Sequence, residues 1–424
     1  MFRSLRNRNY RLFAGGQLVS LTGTWMQNVA QDWLVLDLTH RSGTALGVTT
    51  ALQFTPMLLF GLFGGVFADR HDKRRVMVAT QTVQGLLALS LGTLVVTGVV
   101  QTWMVFAFAF ALGMTTVFDL PARQAFVVEM VGPDDVGNAV GLNSATFNSA
   151  RIIGPAVAGL MIAHGGTPPV FFLNAASYVA VIVGLRKMNP DELFPGKQVV
   201  RAKGQLVAGL RYVKRRRDLL LPIVLVGVIG MVGLNFQITL ALMARNEFHR
   251  GAGTYGTLSA MLAGGSLAGA LLTARRGRPT QRVLIGSAVA FGLLETTLGL
   301  MPNIVVFSLV LIPTGFAVIT FTSTALSTVQ IGAGADMRGR VLALYALVFV
   351  GGTPFGAPII GWLGQHVGPR STLVVGGLGS LAVSVAAGAL LARAMGDDRP
   401  RPLRRLRQRR RPTVTAPVPY DLVR

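Results

Sequence analysis

Long apolar runs, each broken by charged residues or by Pro and Gly, dominate this chain. A helix needs roughly 20 mostly apolar residues to cross about 30 Å of hydrocarbon. Twelve runs reach that length, near 12–36, 45–68, 76–99, 103–121, 138–163 and 169–187, then 219–245, 253–274, 282–301, 304–328, 341–364 and 371–393. The first carries Gln17, Asn28 and Asp32 and is too long for the apolar core of a cleaved signal, so it reads as a span.

Composition agrees with the pattern. Of 424 residues, 51% are hydrophobic and 13% charged, whereas a soluble domain has about a quarter charged. The hydrophobicity excludes disorder, and 51 Gly with 20 Pro exclude a coiled coil. With no cysteine, disulfides, thiol chemistry and cysteine-held metals are excluded too.

The charge is lopsided, with 40 Lys and Arg against 17 Asp and Glu. If both termini are cytoplasmic, 35 of the 40 basic residues fall on the inner side and only Arg41, Arg245, Arg250 and Arg370 outside. That is a positive-inside pattern. It also removes nucleic acid as the reason for the net charge, because cations beside apolar spans meet anionic headgroups first. The tail from Arg399 to Arg411, interrupted and followed by Pro402, Pro412, Pro417 and Pro419, reads as disordered and lipid-contacting, with a regulatory partner site as the alternative.

A long inner connection divides the spans six and six. The expected units are a first bundle over 1–187, a linker over 188–218, a second bundle over 219–395 and a basic tail over 396–424. Within the linker, Gln205–Tyr212 alternates at helical spacing and reads as a surface helix. The halves echo each other at an offset of about 202 residues. Gly154-Pro155 with Gly159 aligns with Gly356-Ala357-Pro358 and Gly361, and Lys73-Arg74-Arg75 with Arg275-Arg276-Gly277. Internal repeats with a site at their interface are a recurring transporter plan.

These residues resemble the major facilitator superfamily. Gly65, Asp69, Arg70, Lys73, Arg74 and Arg75 stand as in that family's signature loop between helices 2 and 3, with Asp72 where the family has Gly. Asp119-Leu120-Pro121-Ala122-Arg123, Arg151-Ile152-Ile153-Gly154-Pro155 and Arg338-Gly339-Arg340 are similar to the branch containing the enterobactin exporter and macrolide or multidrug efflux proteins. The likeness covers residues 5–395 and implies an all-α membrane protein of twelve transmembrane helices in two pseudo-symmetric six-helix bundles. It further implies a single polypeptide working as a monomer in the cell membrane.

Two groups of residues stand out. By resemblance, Asp69 at the inner end of helix 2 meets the start of helix 11 at Arg338 and Arg340. Asp119 would balance Arg74 or Arg123, so that the cluster latches the cytoplasmic side; anchoring at the headgroups is the alternative. The second group is buried. Trp25, Asn28 and Asp32 follow one face of helix 1, continued by Gln17 and Thr24, as the wall of a water-filled cavity requires. Helix 5 repeats this with Asn143 or Ser144, Asn148 and Arg151. The resembling fold sets helices 1 and 5 side by side, so Asp32 and Arg151 could pair. Burial raises a carboxylate's pKa and a nearby cation lowers it, so a changing separation would make Asp32 a proton site. A fixed salt bridge is the other reading. Glu295 is expected to make a polar contact or to snorkel. Gln27, Asn28, Phe118, Asn235, Phe236, Gln237, Thr320, Thr322 and Ser323 are the expected substrate contacts, since the fold borders its cavity with helices 1, 4, 7 and 10.

Absent chemistry narrows the rest. No Gly-x4-Gly-Lys-Ser/Thr loop is present for ATP, and the five histidines have no metal-ligand spacing. The expectation is a non-enzymatic secondary transporter without a cofactor. Its energy source would be the proton gradient, its cargo an amphipathic small molecule and its direction outward. An importer, a proton symporter, or a sensor using its basic tail are the rivals.

Overall fold

The computed structural model describes residues 3–194, 205–276, 279–334 and 336–397, and among them every long element is a helix. The first half comprises α1 (Arg8–Leu38), α2 (Gly43–Arg70), α3 (Lys73–Val96), α4 (Thr102–Val131), α5 (Val136–Gly165) and α6 (Pro168–Arg186). A short α7 (Gln205–Lys214) precedes α8 (Arg217–Val232) and α9 (Phe236–Leu242). There follow α10 (Ala252–Arg276), α11 (Gln281–Leu300), α12 (Ile304–Gly332), α13 (Arg338–Gly351), α14 (Thr353–His366) and α15 (Pro369–Asp397). The basic tail over 398–424 and the linker over 195–204 lie outside the described residues.

Side-chain caps set several boundaries. Asn7, Ser42, Asp72, Thr280 and Asn303 each accept a bond from a first-turn backbone N–H and so satisfy a donor that the helix itself cannot. Asp72, the departure from the signature loop, is thereby explained as the cap of α3, taking the Arg75 N–H at 2.9 Å.

Three boundaries correct the sequence reading. The fourth span does not stop at 121 but runs to Val131, and Arg123, beyond the expected end, pairs with Asp119 inside the helix. The seventh span is broken at Gly233–Asn235, and its last turn, Met243–Glu247, widens to a π-helix. The eleventh is interrupted at Gly352, just before Pro354, which sits in the first turn of α14.

Among the described residues, ten segments are long and apolar enough to cross a membrane. The two remaining helices of crossing length, α1 and α5, are the ones carrying polar stripes. The face where α1 begins and α2 ends carries most of the basic residues and is called the basic face below.

The two halves meet along two glycine seams remote from that face. On α14, Ala357, Pro358 and Gly361 lie against Gly43 and Gly47 of α2; on α5, Pro155 and Gly159 lie against Gly253 and Gly256 of α10. A side chain at Gly47 or Gly256 would collide with the facing carbonyl, which is why small residues are required there. The repeated Gly-Pro motif thus builds one seam from each half. No comparable packing joins α4 to α12 or α5 to α13. The apolar core tells the same story. Away from the basic face one cluster runs through both halves, including Trp33 and Leu242, while at that face Tyr10, Met77, Phe126 and Leu185 belong to a cluster confined to the first half. The gap between the halves therefore lies toward the basic face.

Candidate substrate cavity

A cavity of about 590 Å³ lies between the halves, within the range of small-molecule sites. The polar stripe of α1 forms part of its wall through Thr24, Trp25 and Asn28, and α5 contributes Phe147 and Arg151. Of the expected contacts, Asn28, Phe236, Gln237 and Thr322 line it. The others do not. Gln27 points to α6 and accepts a bond from Asn174 at 2.6 Å. Phe118 packs edge-on against Phe63 and Phe67 of α2. Asn235 donates to the Met231 carbonyl at the helix break, Thr320 bonds back to Phe316, and Ser323 is not on the wall.

The charges keep one expected pairing, Asp119 with Arg123, and are otherwise arranged differently from the sequence expectation. Asp119 is wholly buried behind the wall and pairs with Arg123, four residues on. Its other oxygen accepts from Thr80 Oγ1 at 2.8 Å and Gln81 Nε2 at 3.0 Å. Arg123 also donates to Gln17 Oε1 at 3.3 Å and faces the cavity. Asp119 and Arg123 thus tie α1, α3 and α4 together well inside the bundle instead of joining a surface latch. Arg74 is elsewhere, bonded to the Leu185 and Arg186 carbonyls at the end of α6, where a cation complements the helix dipole. Lys73 pairs with Glu129 of α4 at 2.9 Å. Gly65 is buried in α2, which ends at Asp69 and Arg70; Arg70 and Arg75 are exposed. Arg338 is exposed at the start of α13, while Arg340 contacts Met337 Sδ and lies beside Gly209 of α7.

Asp32 and Arg151 do not pair. Trp25 of α1 packs at the level of Gly154 on α5, and Asp32 lies seven residues beyond Trp25, about 10 Å along the axis. Arg151 instead sits over the Trp25 ring, 5.8 Å from its centroid. Asp32 is 6% exposed and accepts a bond from Tyr255 Oη of α10 at 2.7 Å. That bond crosses between the halves at the closed end of the cavity, with Tyr255 forming the wall in front of the acid. Above it, the seal continues. Arg245 pairs with Asp37 at 2.6 Å and stacks over Trp33, Asn246 donates to the Arg41 carbonyl, and Gln365 accepts from Ser42 Oγ and the Thr44 N–H.

Glu295 does not snorkel. It is 3% exposed and faces Gly233 at the broken seventh span and Gly376 of α15, its Oε2 without a hydrogen-bond partner among the described residues. Sequence reasoning also missed Gln53, Gln81, Gln84 and Tyr178 on the wall. The pair Gln81 and Gln84 had a signal, two amides on one face of an apolar helix; Tyr255, 223 positions from its partner, had none.

A cavity between two helical halves, sealed at one face and lined by polar stripes on otherwise apolar helices, defines a membrane transporter of the major facilitator superfamily. The chain belongs to the transmembrane secretion effector family of that superfamily, whose model matches residues 1–412. It is 23% identical over 388 residues to macrolide efflux protein A of Streptococcus pyogenes, covering 89% of this chain and 94% of that protein. It is 26% identical over 381 residues to the enterobactin exporter EntS of Shigella flexneri, covering 87% and 88%. A shorter stretch, 177 residues at 27% identity, covers 41% of this chain and 44% of the staphyloferrin A transporter of Staphylococcus aureus. The fold is shared with a bacterial homolog of the human lysosomal transporter Spinster in an inward-facing, unoccupied conformation, at a TM-score of 0.70 and 15% identity over 93% of this chain and 99% of that one.

Proposed function

We propose that this chain exports an amphipathic small molecule across the cell membrane by alternating access, drawing energy from the proton gradient and needing no cofactor. The basic face is then cytoplasmic, as the positive-inside pattern requires, and the cavity takes its cargo from that side. The efflux proteins among its relatives support the outward direction. The observation that carries the coupling is the bond from Tyr255 to Asp32. It places a buried acid where the halves part, so the acid is sealed in one state and reached by outside water in the other. An ionised side chain inside the membrane is costly unless paired or wetted. Proton uptake at Asp32 is therefore tied to opening of the outer face. The cytoplasmic latch between the signature loop and α13 belongs to that second state.

The test uses the full chain in proteoliposomes. Asp32→Asn should abolish efflux driven by a pH gradient while leaving exchange of substrate across equal pH intact. Gradient-driven flux equal to that of the parent protein would reject Asp32 as the coupling group.

A further inference from the structure

The wall of the cavity carries charge of one sign. Arg123 and Arg151 face it, and among the described residues no Asp or Glu lines it. Arg123 is neutralised from behind by Asp119. Arg151 is not: among the described residues it makes no side-chain hydrogen bond or ion pair, and its guanidinium lies over the Trp25 ring. The other acids near the cavity are taken or turned away. Asp32 stands behind Tyr255, about 10 Å further along α1, and Glu295 faces the helix break behind Phe291 and Phe236.

We infer that the cavity selects an anionic guest, a carboxylate or phenolate carried on an aromatic or apolar body, with Arg151 supplying the counter-charge. The inference rests on the transport reading above and names its substrate class. An arginine in a membrane protein is retained when something offsets its desolvation, and here the protein itself supplies only a ring face. Two amides on the same wall in the first half, those of Asn28 and Gln53, and that of Gln237 across the cavity in the second, make no side-chain hydrogen bond among the described residues, so they are available to polar groups flanking the anion. Trp25 and Phe147, edge to face at 5.8 Å, give an aromatic body a surface beside the guanidinium. An arginine fork also matches a planar oxyanion in two parallel bonds, which a lysine cannot do.

The probes are fluorescein, an anion, and rhodamine 123, a cation on the same xanthene core. Binding is read by fluorescence anisotropy on the purified full chain, and flux in liposomes of phosphatidylcholine and phosphatidylethanolamine. The parent protein should bind and carry fluorescein in preference to rhodamine 123. Arg151→Gln should weaken fluorescein binding at least tenfold while changing rhodamine 123 less than twofold, and Arg151→Lys should restore part of the loss. A merely structural arginine would lower both dyes equally, and that result, or a preference for rhodamine 123, overturns the anionic assignment while the export reading stands. Fluorescein binding without flux overturns export and leaves the assignment standing. Neither binding nor flux overturns both.

Discussion

Tyr255→Phe is the sharpest probe of how the two halves close. The substitution keeps the ring that walls the cavity and removes one atom, the hydroxyl that donates to Asp32 at 2.7 Å. With Asp32 ionised, a hydrogen bond to it contributes about 1.5–3 kcal/mol. The loss falls on one conformation only, since in the closed-end state the acid is 6% exposed and water cannot replace the donor. Once the halves part at this face, water can. The whole difference therefore appears in the conformational equilibrium, at roughly tenfold per 1.4 kcal/mol, as a shift of about one to two orders of magnitude toward the state open at the face opposite the basic one. The chain has no cysteine, so spin labels at Val99→Cys and Pro302→Cys, exposed in the first and second halves at that face, report alone. Pulsed electron resonance should find the longer separation enriched in the Phe variant. An unchanged distance distribution, in a variant that still folds, would refute the claim that this bond holds the seam.

Three further outcomes follow from the packing. Arg123→Ala leaves Asp119, wholly buried, without its counter-charge, and should cost about 3–5 kcal/mol; thermal unfolding in detergent checks this, and adding Asp119→Asn should recover most of the loss. Gly47→Val puts a side chain into the Ala357 carbonyl, so the same label pair should report a closed-end state depopulated further than in Tyr255→Phe, with flux lost. Glu295→Gln replaces a buried acid whose Oε2 has no partner among the described residues with an amide of the same shape, so the melting temperature should hold or rise, and gradient-driven flux should persist because the residue is walled from the cavity.

How much of this was legible in the chain depends on the range of the interaction. Spans, caps and stripes are local. The run lengths gave all twelve crossings, and the i, i+3, i+7 spacing of Trp25, Asn28 and Asp32 put two of the three on the cavity wall. The Gly-Pro echo at an offset of about 202 residues foretold equivalent roles, and both copies form seams. Local reading also fell short. The fourth run was ended at 121, before Arg123, because a charged residue closes an apolar run; only the i, i+4 pairing of Arg123 with Asp119 shows that the helix carries on. Tyr255, Gln365 and Arg245 act across the interface between the halves, where a single chain offers no periodicity to read. The two helix breaks differ in this respect: Gly352 adjoins Pro354, a residue that marks a bend in any helix, whereas the break at Gly233 falls in an apolar run with no proline to mark it.

The same division of chemistry explains why α1 and α5 fall short of the apolarity of the other spans. Helices that face lipid gain from every apolar residue, whereas helices that wall a wet cavity must carry polar groups, and the cost of those groups is offset only by water, by each other or by cargo. In this chain that burden is unequal. The first half presents Asn28, Gln53, Gln81, Gln84, Arg123 and Arg151 to the cavity, while the second presents no charge among the described residues and one amide, Gln237, among Leu234, Phe236, Leu262, Val318, Ile319 and Phe349. A guest spanning the cavity therefore meets a charged, amide-rich wall on one side and an apolar one on the other. An amphipathic molecule satisfies both walls in a single orientation; a purely apolar one leaves Arg151 uncompensated, and a purely polar one is desolvated against Phe and Leu for no return. The asymmetry also assigns work to the halves. The half that holds the charged end holds Asp32 as well, so under the proposed coupling protonation and recognition would act on one bundle while the other supplies the Tyr255 hydroxyl that closes over the acid.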